Sequence, residues 1–143
     1  FTDRRQRQMC IRDRYFPAQI LGCLLGVMLA NVFFEHNILE LSTKNRDGFH
    51  IFLSEIIATF GLIFIIFATL KDGKITIAAS VATYIMAGYW FTSSTSFANP
   101  AVAIARTFTD SFTGINYMNT PTYILAEFLG ALIAVFLIKK LIK

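Results

Sequence analysis

Charge is scarce in this sequence. Asp, Glu, Lys and Arg make up 15% of its 143 residues, where a soluble domain carries about a quarter. Cysteine is scarce too. Cys10 and Cys23 are the only two, which excludes a disulfide framework and offers no metal-ligand spacing. The two His, His36 and His50, fall in one connecting stretch and read as solvated groups rather than ligands. No nucleophile–base pair, metal cluster or phosphate loop stands out. The chain therefore reads as a non-enzyme with no catalytic residue, metal or cofactor.

Basic charge is absent from most of the chain as well. The net charge is +4, and +3 of it lies in residues 1–14, where Arg4, Arg5, Arg7, Arg12 and Arg14 face Asp3 and Asp13. That tract has no Lys, whereas the remainder has six Lys and only Arg46 and Arg106. It reads as non-native or disordered sequence, to be set aside from fold reasoning. The other reading is a polybasic segment at an anionic membrane surface. It carries no interleaved aromatics, so no nucleic-acid partner is expected.

Long apolar runs fill the space that charge leaves. The composition is 55% hydrophobic with 15 Phe, and the apolar residues gather into stretches near membrane-spanning length. This predicts an all-α membrane protein of one domain, residues 15–143, with the lipid bilayer as its surroundings. The first span is expected at 15–34. Pro17 falls in its first turn, and Gly22, Gly26 and Ala30 make a small-residue stripe suited to close helix approach. A polar loop follows at 35–48. The second span, 49–70, holds one charge, Glu55. Lys71 to Lys74 forms a turn into the third span, 75–92. Thr120-Pro121 opens the last span, 121–139, where Ala126, Gly130 and Ala134 repeat the small-residue stripe.

Between the third and last spans stands Phe97-Ala98-Asn99-Pro100-Ala101-Val102. Asn is a preferred helix cap, and Pro suits the first helical position, where its missing N–H would be unpaired anyway. A helix is predicted over 99–113, closed by Gly114. Fifteen residues rise about 22 Å, short of a hydrocarbon core of about 30 Å. Entered through Thr92 to Ser96, it reads as a re-entrant half-helix, which requires burial in protein or a water-filled cavity. The alternative is an ordinary capped helix of a soluble protein, which the flanking hydropathy disfavours.

Lys71, Lys74, Lys139, Lys140 and Lys143 gather on one side of a four-span arrangement, which makes that side cytoplasmic. The C-terminus is then cytoplasmic, the membrane is the inner membrane of a cell, and the half-helix enters from outside. A repeat accompanies this topology. Tyr15 to Gly22 matches Tyr123 to Gly130, with Tyr, Ala, Leu and Gly in register and Gln19 opposite Glu127. The two copies run in opposite directions, as inverted repeats do around a membrane pathway.

These features together resemble the major intrinsic proteins, the aquaporins and aquaglyceroporins. The resemblance rests on Asn99-Pro100-Ala101 and its half-helix, on Ala18-Gln19-x-x-Gly22, on Glu55 and on the Gly130 span. It implies an aquaporin-like right-handed helical bundle, here partial, with four spanning helices and one half-helix. By the same resemblance the first two helices and first half-helix of the family's plan are missing, and the full-length protein is a homotetramer with one pore per subunit. The implied function is facilitated passage of water and small neutral solutes. The family usually has Arg after this Asn-Pro-Ala, where this chain has Val102. The other filter positions fall at about Ala87 or Gly88 and at Ser96. The run from Asn99 to Gly114 is most similar to a prokaryotic branch associated with arsenic resistance, which passes neutral arsenic acids.

The resemblance assigns roles that each have a plainer reading. Asn99 offers its amide to a passing oxygen, or is only a cap. Glu55 accepts N–H groups of the re-entrant loop, or contacts solute, and Gln19 and Glu127 do similar work. Arg106 and Asp110, four apart on the predicted helix, form a pair, or Arg106 supplies charge at the outer mouth. Two other function classes compete. A coupled transporter also uses broken helices, but would want acidic groups at the midplane. A truncated, non-conducting fragment is the other.

Overall fold

The computed structural model describes the backbone of residues 2–141 and the side chains of residues 13–141. Cys10, Lys143 and Arg4, Arg5, Arg7 and Arg12 of the basic tract are named above for side chains that lie outside this description. Five helices follow one another: α1 (Thr2–Phe33), α2 (Phe49–Thr69), α3 (Lys74–Phe91), α4 (Pro100–Ala105) and α5 (Thr120–Leu141). A single 3₁₀ turn, Arg106–Phe108, extends α4.

Three stretches are long and apolar enough to cross a membrane: Asp13–Phe33, Phe49–Thr69 and Thr120–Leu141. Helix α3 has 18 residues, about 27 Å at 1.5 Å rise, and Thr76, Ser80 and Thr83 dilute its apolar content. It borders on spanning length and packs on α2.

Helix α1 begins well before the expected Tyr15. Hydropathy marks where an apolar stretch begins, whereas helicity needs only the absence of a breaker, and Arg, Gln and Met are good helix formers. Pro17 consequently lies inside α1 rather than in its first turn, where it removes one backbone hydrogen bond. The half-helix corrects the sequence reading in the other direction. It ends at Phe108 instead of residue 113, because Thr109 turns to extended backbone, φ −147° and ψ 133°.

The tightest packing joins α2 to α5. Ala126 and Ala134 are fully buried, and Tyr123 is nearly so. A Cβ built on Gly130 would stand 2.4 Å from the Ile56 carbonyl oxygen, so only glycine lets the two backbones approach this closely. Helix α3 docks on the neighbouring face of α2, where the Tyr84 hydroxyl donates to the Ala58 carbonyl at 2.9 Å.

The stripe on α1 behaves differently. Gly22 and Gly26 have no heavy atom within 4 Å of a built Cβ. Gly26 and Ala30 line a cavity between α1 and the half-helix. Among the described residues, the same small-residue spacing meets close contact on α5 and none on α1.

This contrast sets a test. Gly130→Ala should destabilise detergent-solubilised protein by about 1–3 kcal/mol, the usual cost of overpacking. Gly26→Ala should leave it unchanged or slightly firmer, since Ala favours helix. Thermal melts of the two variants provide the comparison, and equal shifts would remove the distinction between the stripes.

Candidate functional site

The chain between α3 and α4 is irregular and buried. Ser94, Thr95, Ser96 and Phe97 are all nearly inaccessible. Thr95, Ser96 and Ala98 have φ of 64°, 49° and 49°, a left-handed conformation that costs non-glycine residues of order 1 kcal/mol or more each. Such a turn leaves its N–H groups without helical partners, and buried N–H groups must be paired.

Two carboxylates supply the partners. Glu55, fully buried on α2, accepts the N–H of Phe97 at 3.3 Å through Oε2 and that of Ala98 through Oε1. Glu127, buried on α5, accepts the Asn99 N–H at 3.0 Å. The two helices that pack most tightly therefore each send one acid to the same loop. Gln19, matched to Glu127 by the internal repeat, makes no hydrogen bond among the described residues and is half-buried on α1.

Asn99 then caps α4. Its Oδ1 accepts the Ala101 N–H at 3.0 Å, and its carbonyl accepts from Val102 and Ala103. Pro100 takes the first helical position. The cap fixes the side-chain oxygen and leaves the amide Nδ2 as its free donor end. Ala101 and Ala103 are buried, and Val102, half-exposed between them, lines the cavity against α1.

That cavity measures about 300 Å³. Val27 and Ala30 of α1, Tyr89 of α3, and Val102 and Arg106 of the half-helix are among its walls. Of the filter candidates, Val102 lies on it and three do not. Ala87 is exposed. Gly88 and Ser96 are buried against each other, such that a Cβ on Gly88 would stand 2.7 Å from Ser96 Oγ. Tyr89 is the residue that α3 contributes.

Arg106 and Asp110 do not pair. The helix stops before Asp110, so the four-residue spacing no longer brings the two together. Arg106 donates to the Tyr89 hydroxyl and lies over the Phe97 ring, 4.3 Å from its centroid. Asp110 instead accepts the Thr43 N–H at 2.9 Å, with further bonds from the Ser42 and Thr43 hydroxyls. The 35–48 loop is thereby laced over the end of the half-helix. Ser42 N–H donates to Thr107 O at 2.9 Å, and Asn116 N–H to Lys44 O at 2.9 Å.

Asn31, Thr95, Tyr89 and Arg46 were not legible as site residues. Asn31 is buried near the C-terminal end of α1 and donates to the carbonyls of Phe108 at 3.0 Å and Ile38 at 3.2 Å. A lone amide in an apolar run was the available signal. Arg46 reaches from the loop to the Phe112 carbonyl and to Thr95 Oγ1, a contact with no trace in local sequence.

Two predictions follow from this bonding. Glu55→Ala strands two buried N–H groups and should cost about 2–6 kcal/mol, at about 1–3 for each orphaned donor. Glu55→Gln keeps one acceptor oxygen and should cost less. Denaturant melts in detergent measure both. The second concerns acid. The Thr43 N–H foremost holds the Asp110 carboxyl below the usual carboxylate range, against desolvation and with help from the Thr43 and Ser42 hydroxyls and the Lys44 charge. A carboxyl lowered in the folded state stabilises above its unfolded value, about 3.9, and that contribution fades as pH falls through the folded value. The amide protection factors of the 40–48 loop, taken relative to intrinsic exchange, should therefore fall as the pH drops below about 4, and Asp110→Asn should remove this pH dependence.

Comparison with known proteins agrees with this architecture. Residues 6–137 match the family model described as Major intrinsic protein. The chain is 43% identical over 129 residues to the protein "Aquaglyceroporin AqpS" of Rhizobium meliloti (strain 1021). The match covers 90% of this chain and 55% of that relative, so the chain spans about half the relative's length. No solved structure gives a significant match. With the family model covering most of its length and its buried acids holding an Asn-Pro-Ala turn, the chain belongs to the major intrinsic protein family.

Proposed function

We propose that this chain builds part of the wall of a facilitative channel for water and small neutral solutes, among them glycerol-like polyols and undissociated arsenous or methylated arsenic acids. One observation carries the reading: a capped half-helix, suspended from Glu55 and Glu127, presents Val102 to a cavity of about 300 Å³. Family membership and the likeness to a protein printed as an aquaglyceroporin support it. We read residues 15–143 as the third to sixth helices and second half-helix of the family plan, in a homotetramer when full length. The inner membrane is the setting, with the lysine-rich C-terminus cytoplasmic.

The roles follow from the chemistry. Asn99 Nδ2, held by its capped oxygen, donates to passing water or hydroxyl oxygens. Val102 replaces a guanidinium with a small apolar group, which widens the passage and gives larger neutral solutes apolar contact. Ala87, Gly88 and Ser96 act behind this wall, with Gly88 and Ser96 seating the re-entrant loop. Ions are excluded because shedding hydration without replacement ligands is costly. Both Glu55 oxygens and Glu127 Oε1 are spent on backbone N–H groups, which leaves a coupled transporter only Glu127 Oε2 as a free acid oxygen.

Val102→Arg should narrow the filter. In proteoliposomes of the full-length protein, uptake of arsenous acid should fall more than that of water or glycerol. Equal permeability ratios in the two proteins would show that Val102 does not set selectivity.

A further inference from the structure

Two arginines that lie far apart in the sequence, Arg46 and Arg106, meet at one hydroxyl. Thr95 Oγ1, buried in the re-entrant loop, receives Arg106 Nη1 at 3.5 Å and Arg46 Nη1 at 3.4 Å. These contacts are long, as expected of two like charges sharing one neutral acceptor. Neither guanidinium makes a salt bridge among the described residues. Arg46 spends another donor on the Phe112 carbonyl. Arg106 spends one on the Tyr89 hydroxyl and lies 4.3 Å from the Phe97 ring centroid and 5.3 Å from that of Tyr89. A guanidinium has five N–H donors, so Arg106 keeps donors without a partner among the described residues. It also lines the same cavity as Val102, one turn further along the half-helix.

We infer that Arg106 is a specificity-determining residue of this passage, with Arg46 and Thr95 as its positioning residues, and that it recognises neutral oxyacids. The inference rests on the channel reading above. The planar guanidinium fork matches two oxygens carried on one centre. Trigonal oxyacids present such a pair, whereas a polyol's oxygens sit on separate carbons and meet the fork singly. The Phe97 ring, the Tyr89 hydroxyl and the tie to Thr95 hold the fork in one orientation. The charge missing at Val102 is thus restored one turn outward, beside a wider passage.

The test uses the full-length protein in proteoliposomes at neutral pH, with boric acid as the oxyacid probe and glycerol as the reference. Swelling gives the boric acid to glycerol permeability ratio. Arg106→Lys keeps the charge but loses the fork, and should lower that ratio about tenfold, the scale of one charged hydrogen bond, while glycerol still passes. An unchanged ratio overturns the inference. A wild-type protein passing neither solute above empty vesicles overturns the channel reading and this inference with it. If Arg106→Lys passes no glycerol, Thr95→Val decides. A lowered ratio there supports the assignment, and an unchanged one overturns it.

Discussion

The re-entrant loop depends on one constraint: backbone N–H groups placed at membrane depth must find acceptors within the protein. Residues 97–99 leave the regular helix pattern and would present three unpaired donors. Glu55 and Glu127 take all three. The two acids lie on α2 and α5, so the loop can be held only if those helices are held to each other. Gly130, with no room for a Cβ against the Ile56 carbonyl, is what permits that approach. A glycine on one helix thereby conditions a hydrogen bond to a loop on another.

Strain and satisfaction are balanced in the same segment. Three non-glycine residues in left-handed conformation cost energy locally. The geometry persists because the carboxylates, the Asn99 cap and the burial of Phe97 against Tyr123, ring centroids 4.8 Å apart, over-determine it. The 35–48 loop adds a second layer, since Ser42, Thr43 and Lys44 bond the end of the half-helix and the stretch after it. Asn31 ties the end of α1 to the same place. The short α4 is stable through these contacts, because a helix of six residues has little stability of its own.

Much of this was readable in the chain. Asn99-Pro100 marked a helix start because capping and the missing proline N–H are local chemistry. Glu55 stood out as a charge inside an apolar run, and Glu127 followed from the internal match to Gln19. The end of the half-helix was misjudged, since Phe108 to Gly114 keeps apolar and polar residues at helical spacing while tertiary bonds to the 42–44 stretch pull it into extended form. The Arg106–Asp110 pair failed for that reason. Spacing alone shows that the Gly22/Gly26 surface is smooth, not what lies against it.

Composition and local pattern by themselves determined that this chain lives in a membrane, how its apolar runs divide it, and where a broken helix begins. Those properties follow from hydration and from backbone bonds between near neighbours. Only the tertiary structure decided that Tyr89 rather than Ala87 faces the cavity, that Gly88 seats Ser96, and that Arg46 and Arg106 share Thr95. Such relations depend on helix rotation and on which loop crosses which helix end. Both are set by packing between segments far apart in sequence, and no local period encodes them.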